Sequence, residues 1–179
     1  EYYRAYLSGR MGWGAVNGLL IISGAFGLFN REIVMKVGGY KHDTVGEDME
    51  LVVRMHRYCL ENDRPYRVEF VPDPVCWTEA PETLKVLGRQ RNRWHRGLLD
   101  TLLIHKKMLF NPRYKVLGLV STPYFMFIEL LGPVIEALGY FAVGIGLYYG
   151  MVNIEIFILF FVVSVIYGVM ISISSVMLE

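Results

Sequence analysis

No lysine or arginine occurs beyond Lys115, and the stretch from Val116 to Glu179 holds only four charged side chains, Glu129, Glu136, Glu155 and Glu179. A segment so poor in charge is not an ordinary solvated surface. Cysteine is scarce: Cys59 and Cys76 have no metal-ligand spacing and no partners for a disulfide framework. Both are expected reduced in the cytosol, with Cys59 packed in a core. The four histidines form no pair at ligand spacing, which argues against a zinc site. No repeat and no low-complexity tract is visible. Glu1-Tyr2-Tyr3-Arg4 lacks the charged-then-apolar form of a signal peptide and reads as the interior of a longer protein.

What is present is strongly polarised. The formal net charge of +1 conceals nine basic residues between Lys85 and Lys115 against a single acid, Asp100. A basic stretch next to apolar sequence suits the cytoplasmic side of a membrane. Two regions are therefore expected, a polar catalytic-type region over residues 1–115 and a membrane region over residues 116–179. Pro123 and Pro133 divide the latter into an interfacial or re-entrant part and a crossing near Leu130 to Tyr149. A turn at Gly150 to Asn153 then leads to a second span, Ile154 to Val176. That is a multi-pass cell-membrane protein with its catalytic part in the cytosol and the lipid bilayer as a partner; no nucleic acid polymer is expected. Glu129 and Glu136, seven residues apart, would share a helix face turned toward protein or water, or lie at a shallow interfacial depth.

In the polar region, the apolar run Leu19 to Ser23 reads as a buried strand. Gly24 and Gly27 then let the backbone pass close to a ligand, or merely pack tightly. Asn30 caps a short helix through Val37, stopped by Gly38-Gly39. A helix from Glu47 to near Leu60 follows, then a turn at Asn62 to Pro65. Tyr66 to Val71 alternates as a strand, stopped by Pro72-Asp73-Pro74, with a further extended piece over Val75 to Thr78. A long helix runs from about Pro81 to His105, its Pro and acids suited to a first turn.

Two stretches carry the chemistry. Glu47 and Asp48 open an amphipathic helix with Met49, Val52, Val53, His56, Cys59 and Leu60 at helical spacing. Carboxylates in a first turn suit the positive end of the dipole, and Asp48 there is a candidate general base; the alternative is that both acids only cap the helix. Gln90, Arg93 and Trp94 stand at i, i+3 and i+4, so an amide, a guanidinium and an indole share one helix face, while Arg91 and His95 turn elsewhere. Such a face can contact a hydroxyl-rich or phosphorylated ligand. A lone Trp94 beside Leu87 and Leu98 is more often core than site.

The Glu47-Asp48 pair, followed by Gln90-Arg91-Asn92-Arg93-Trp94 and a membrane segment, resembles the membrane-bound family 2 glycosyltransferases that synthesise cellulose, hyaluronan, chitin and poly-N-acetylglucosamine. Ser23-Gly24-Ala25-Phe26-Gly27-Leu28-Phe29-Asn30-Arg31-Glu32 and Gly38-Gly39-Tyr40 support the likeness. The resemblance implies an α/β fold, the C-terminal half of a GT-A-like nucleotide-sugar transferase domain, followed by membrane helices. It implies an inverting transfer of a sugar from a nucleotide-sugar donor to a growing β-linked polysaccharide. Asp48 would be the base and Glu47 an acceptor-orienting group. Gln90, Arg93 and Trp94 would bind substrate, with Ser23, Gly24, Ala25 and Phe26 on the acceptor side. The family holds Mg²⁺ or Mn²⁺ on an Asp-x-Asp that this sequence lacks, so the cation's ligands are expected mainly upstream, with none here. This chain alone is expected to be inactive. A non-processive enzyme acting on a lipid acceptor, and a non-catalytic membrane scaffold, are the competing functions.

Overall fold

The computed structural model describes residues 9–22, 24–73, 76, 79 and 81–177. The described residues contain helices and turns and no strand, so the expected α/β fold is corrected to an all-helical one. The strands read at Leu19 to Ser23 and Tyr66 to Val71 fail for the same reason. A strand needs a neighbour for its hydrogen-bond ladder, and neither segment has one among the described residues. Leu19 and Leu20 are buried, yet the Leu19 carbonyl accepts from the ring of His56 at 2.9 Å. The segment after Tyr66 is tied by Asn17 instead, whose Oδ1 accepts from Val68 N at 2.9 Å and whose Nδ2 donates to Tyr66 O at 3.4 Å. The extended piece expected over Val75 to Thr78 falls largely outside the described residues, as does Ser23.

The chain divides into two compact units, residues 13–130 and the described residues through Gly12 together with those from Leu131 onward. The short, glycine-containing α1 (Arg10–Ala15) runs across the boundary at Gly12, and the first unit takes it up from Trp13. Helix α2 (Arg31–Lys36) starts on Asn30, whose side chain accepts from Ile33 N at 3.2 Å. It ends with Gly39 N donating to Val34 O and Gly38 N to Met35 O, both glycines at positive φ. That double bond pattern closes a helix end and suits glycine. Helix α3 (Glu47–Glu61) buries Met49, Val52, Val53, His56 and Cys59 along one side, as its spacing predicts. Helix α4 (Leu84–Ile104) begins on Thr83, whose hydroxyl accepts from Val86 N, and buries Gly97, Leu98, Thr101 and Leu102. Two 3-10 turns, Lys106–Met108 and Pro112–Tyr114, lead into a π-helical stretch, Leu117–Ser121. The single α-turn α5 (Thr122–Tyr124) and a second π-stretch, Phe125–Leu130, complete the unit. Pro123 interrupts this run because it offers no backbone N–H to the ladder.

The core joins Leu20, Met49 and Val53 to Leu98, Leu102, Met108, Tyr114, Leu117, Phe125 and Leu130. The stretch 117–130 thus buries one side against α3 and α4, while Leu119, Val120, Phe127 and Ile128 stay exposed. In the second unit α6 (Gly132–Tyr148) stops at Gly150, with φ 64° and Met151 N donating back to Gly146 O at 2.8 Å. Helix α7 (Ile154–Met177) follows, its start capped by Asn153, which accepts from Glu155 N and Ile156 N. Among the described residues α7 is the helix long and apolar enough by itself to cross a membrane, over Ile154–Ser174.

Candidate active site

Asp48 sits half-buried in the first turn of α3, while Glu47 beside it is exposed. One oxygen of Asp48 accepts from Met49 N at 2.8 Å, so part of its capacity serves the helix start. The other faces Gly24: a Cβ there would stand 2.8 Å from Asp48 Oδ2. The loop that follows Leu19–Ile22 therefore approaches the carboxylate as closely as it does because residue 24 has no side chain. Ala25 and Phe26 are exposed next to it, and Ser23 lies outside the described residues.

Gly46, the residue before α3, meets Gly97 of α4 backbone to backbone. A Cβ on Gly46 would lie 2.9 Å from Gly97 Cα, and one on Gly97 2.8 Å from Gly46 Cα. Gln90, Arg93, Trp94 and Gly97 fall at i, i+3, i+4 and i+7, one stripe of the helix. The stripe is buried at Gly97 and opens toward Arg93 and Trp94, with Gln90 half-buried. Trp94 lies one turn, ~4.5 Å along the axis, from the glycine contact, and Asp48 two residues from it on the other helix. The two halves of the sequence motif are thus brought to the same crossing.

Trp94 is 38% exposed and outside the buried core. Arg91 does not turn elsewhere, as its spacing suggested: its guanidinium lies over the Trp94 ring, 5.5 Å from the centroid, a favourable cation–π arrangement. Gln90 Oε1 is buried without a hydrogen-bond partner among the described residues. His95 also has a structural task, donating from Nε2 to the Leu130 carbonyl at 2.9 Å, so α4 is tied to the end of the π-stretch.

The residue that sequence reasoning missed is Glu50. It is wholly buried, its carboxylate 2.8 Å from Arg54 Nη2, 3.2 Å from His105 Nε2 and 3.6 Å from Lys41 Nζ. Arg54 continues the chain of contacts to the carbonyls of Val37 and Gly39. Burial pushes His105 below the usual histidine pKa, and the nearby Glu50 only partly opposes that shift. Burial likewise holds His56 down to about 4, against the hydrogen bond to Leu19. His56 is therefore neutral, donating from Nε2 to that carbonyl and accepting at Nδ1 from the Tyr66 hydroxyl at 2.8 Å. The signal that could have found Glu50 is its place at i, i+4 to Arg54 on the apolar side of α3.

Among the described residues no group of three or more His, Cys, Asp or Glu could hold a metal ion. Among the described residues Asp48 and Glu47 do not converge with further donors, so these residues do not fit the divalent cation that the resemblance implies. What the arrangement offers is a carboxylate held at a helix start, beside a glycine-lined approach and a face of amide, guanidinium and indole.

A family model described as "Glycosyl transferase family group 2" matches residues 5–173. Over 90 residues the chain is 39% identical to the poly-beta-1,6-N-acetyl-D-glucosamine synthase of Staphylococcus aureus (strain COL), covering 50% of this chain and 20% of that protein. The "Probable glycosyltransferase YdaM" of Bacillus subtilis (strain 168) is 39% identical over 67 residues, 37% of this chain and 14% of that one. The chain thus spans 20% or less of the length of these two relatives. No solved structure matches it significantly.

Proposed function

This chain belongs to glycosyl transferase family group 2, and from that premise we propose that it forms the acceptor-side part of an inverting, polysaccharide-building glycosyltransferase at a membrane. Asp48 is the general base. An acceptor hydroxyl gives its proton to the Asp48 carboxylate as its oxygen bonds to the anomeric carbon of a nucleotide-activated sugar. The bond from that carbon to the phosphate oxygen breaks, and the nucleoside diphosphate leaves with the electron pair from the opposite face. A positioned base contributes typically ~10² to 10⁴-fold to such a step. Trp94 offers its ring to the sugar, with Arg91 lying over it, and Arg93 forks onto diphosphate oxygens, as planar donors suit. Gln90 orients hydroxyls through its amide. A divalent cation would be held by residues other than those described here and would supply neutralisation of diphosphate charge.

The observation that carries the reading is the Gly46–Gly97 contact, which sets the turn bearing Asp48 against the helix bearing Gln90 and Trp94. The name of the staphylococcal relative favours a glycan acceptor and makes a nucleotide-activated N-acetylglucosamine the first donor to try. The apolar α7, and α6 before it, would anchor the enzyme in the bilayer as a multi-pass protein with its catalytic part cytosolic. The test is transfer of labelled sugar by membranes containing the whole protein, with the product sized. Long glycan is expected. A single-sugar lipid product would replace polymer synthesis with lipid glycosylation, and no transfer from any nucleotide sugar would favour a scaffold.

A further inference from the structure

Glu50 stands two residues beyond Asp48 and joins three parts of the first unit through one carboxylate. Its Oε2 accepts from Arg54 Nη2 at 2.8 Å and Nε at 3.2 Å, and Arg54 binds the Val37 and Gly39 carbonyls at the end of α2. Its Oε1 meets Lys41 Nζ at 3.6 Å and, at 3.2 Å, Nε2 of His105, the C-cap of α4. The first turn of α3 is therefore fastened to α4 at two points, Gly46 on Gly97 and Glu50 on His105. Gly97 and His105 lie eight residues apart, ~12 Å along α4. Alongside the core that Met49 and Val53 share with Leu98 and Leu102, these two contacts set the tilt of α3, and Asp48 lies between them.

A purely stabilising role explains this cluster poorly. Buried ion pairs gain little over apolar residues of the same volume, because desolvation offsets their attraction. The cluster is also incompletely satisfied: His105 Nδ1 is buried without a hydrogen-bond partner among the described residues. An apolar residue at position 50 would pack, but it could not reach α2, Lys41 and α4 at once. We propose that Glu50 is a positioning residue for the transfer reaction, its carboxylate setting the tilt of the Asp48 turn against the α4 face that carries Gln90 and Trp94. This rests on the reading of Asp48 as the base.

The experiment compares Glu50→Asp, Glu50→Gln, His105→Leu and Asp48→Asn in the whole protein, with kcat per folded molecule, donor KM and Tm measured for each. Glu50→Asp keeps the charge but withdraws it by one methylene, ~1.5 Å. Misplacement by about 1 Å can cost ~10²-fold, so kcat per folded molecule is expected to fall ~10- to 100-fold with donor KM within about twofold. His105→Leu, which cuts the link from the α4 side, is expected to do the same. Glu50→Gln keeps the reach, its amide oxygen accepting from Arg54 and its amide N–H donating to Nε2 of a neutral His105 whose proton moves to Nδ1, and is expected to stay within ~10-fold of the parent. Normal kcat per folded molecule in both Glu50→Asp and His105→Leu, whatever their Tm, overturns the positioning role. So does failure of both to fold, which makes the pair a requirement of the fold alone. An active Asp48→Asn overturns the general-base reading instead, independently of Glu50.

Discussion

Gly46 and Gly97 touch through their backbones, and neither has room for a methyl group: a Cβ on either residue would fall within 2.9 Å of the other's Cα. Residue 97 lies inside a helix, where alanine is ordinarily favoured over glycine by ~1 kcal/mol. Gly97→Ala should nevertheless destabilise the protein by ~1–3 kcal/mol, the usual cost of overpacking. It should reduce transfer by ~10²-fold as the Asp48 turn moves off α4. Thermal unfolding and activity of the variant check this; a stabilised, active Gly97→Ala would show that the helices are not held at this point.

Gly24→Ala makes a different prediction. The added methyl would press on Asp48 Oδ2, the free end of a side chain, not on backbone. The carboxylate can rotate away, so the fold should lose little while the base is misdirected. Transfer is expected to drop ~10-fold or more with Tm almost unchanged. Equal activity in Gly24→Ala would separate this loop from the reaction.

The helices were legible in the sequence where their ends are chemical. Asn30 and Gly38-Gly39 bound α2, the acids Glu47 and Asp48 open α3, and Gly150 closes α6. The absence of strands was not legible, because a ladder requires a partner and local alternation does not reveal whether there is one. Leu20 is apolar because it packs in the core with Met49 and Val53 of α3, not because it lies in a sheet. For the candidate site, spacing placed Gln90, Arg93 and Trp94 on one face, and it could not show what faces them. The contacts of Gly24 with Asp48 and of Gly46 with Gly97 join residues far apart in the chain. Glu50 resembles a third acid of a helix start; its spacing to Arg54 hints at a pair, and its burial sets it apart.

Stability should fall in mild acid. His56 has a folded pKa of about 4, held down first by burial, against ~6.5 in an unfolded chain. Above pH 6.5 both states are neutral and its contribution is fully present. As pH falls from there toward 4, the unfolded chain takes up a proton that the folded one refuses, and on the order of 3 kcal/mol is lost. His105, also lowered chiefly by burial, acts in the same direction. Tm of the purified protein should drop between pH 7.5 and 5, and a flat profile would contradict the buried neutral state of these rings.

Trp94 can be placed in the site or the core by its truncation. A core Trp cut to Ala costs ~3–5 kcal/mol, but this one is 38% exposed and outside the core cluster. Trp94→Ala should cost less than ~2 kcal/mol and leave a folded protein that extends acceptor poorly, while Trp94→Phe keeps part of the activity. Loss of activity that only tracks unfolding would return Trp94 to a packing role.

If the carboxylate at the start of α3 takes the acceptor's proton, Asp48→Asn removes that capacity and little else. The amide keeps the shape, and its oxygen can still accept from Met49 N, but it cannot take the proton. In the whole protein, sugar transfer by this variant should fall by ~10²-fold or more, with Tm almost unchanged and donor binding within a few-fold of the parent. Retention of more than about a tenth of the transfer activity would contradict the assignment, since loss of a general base cannot be so mild.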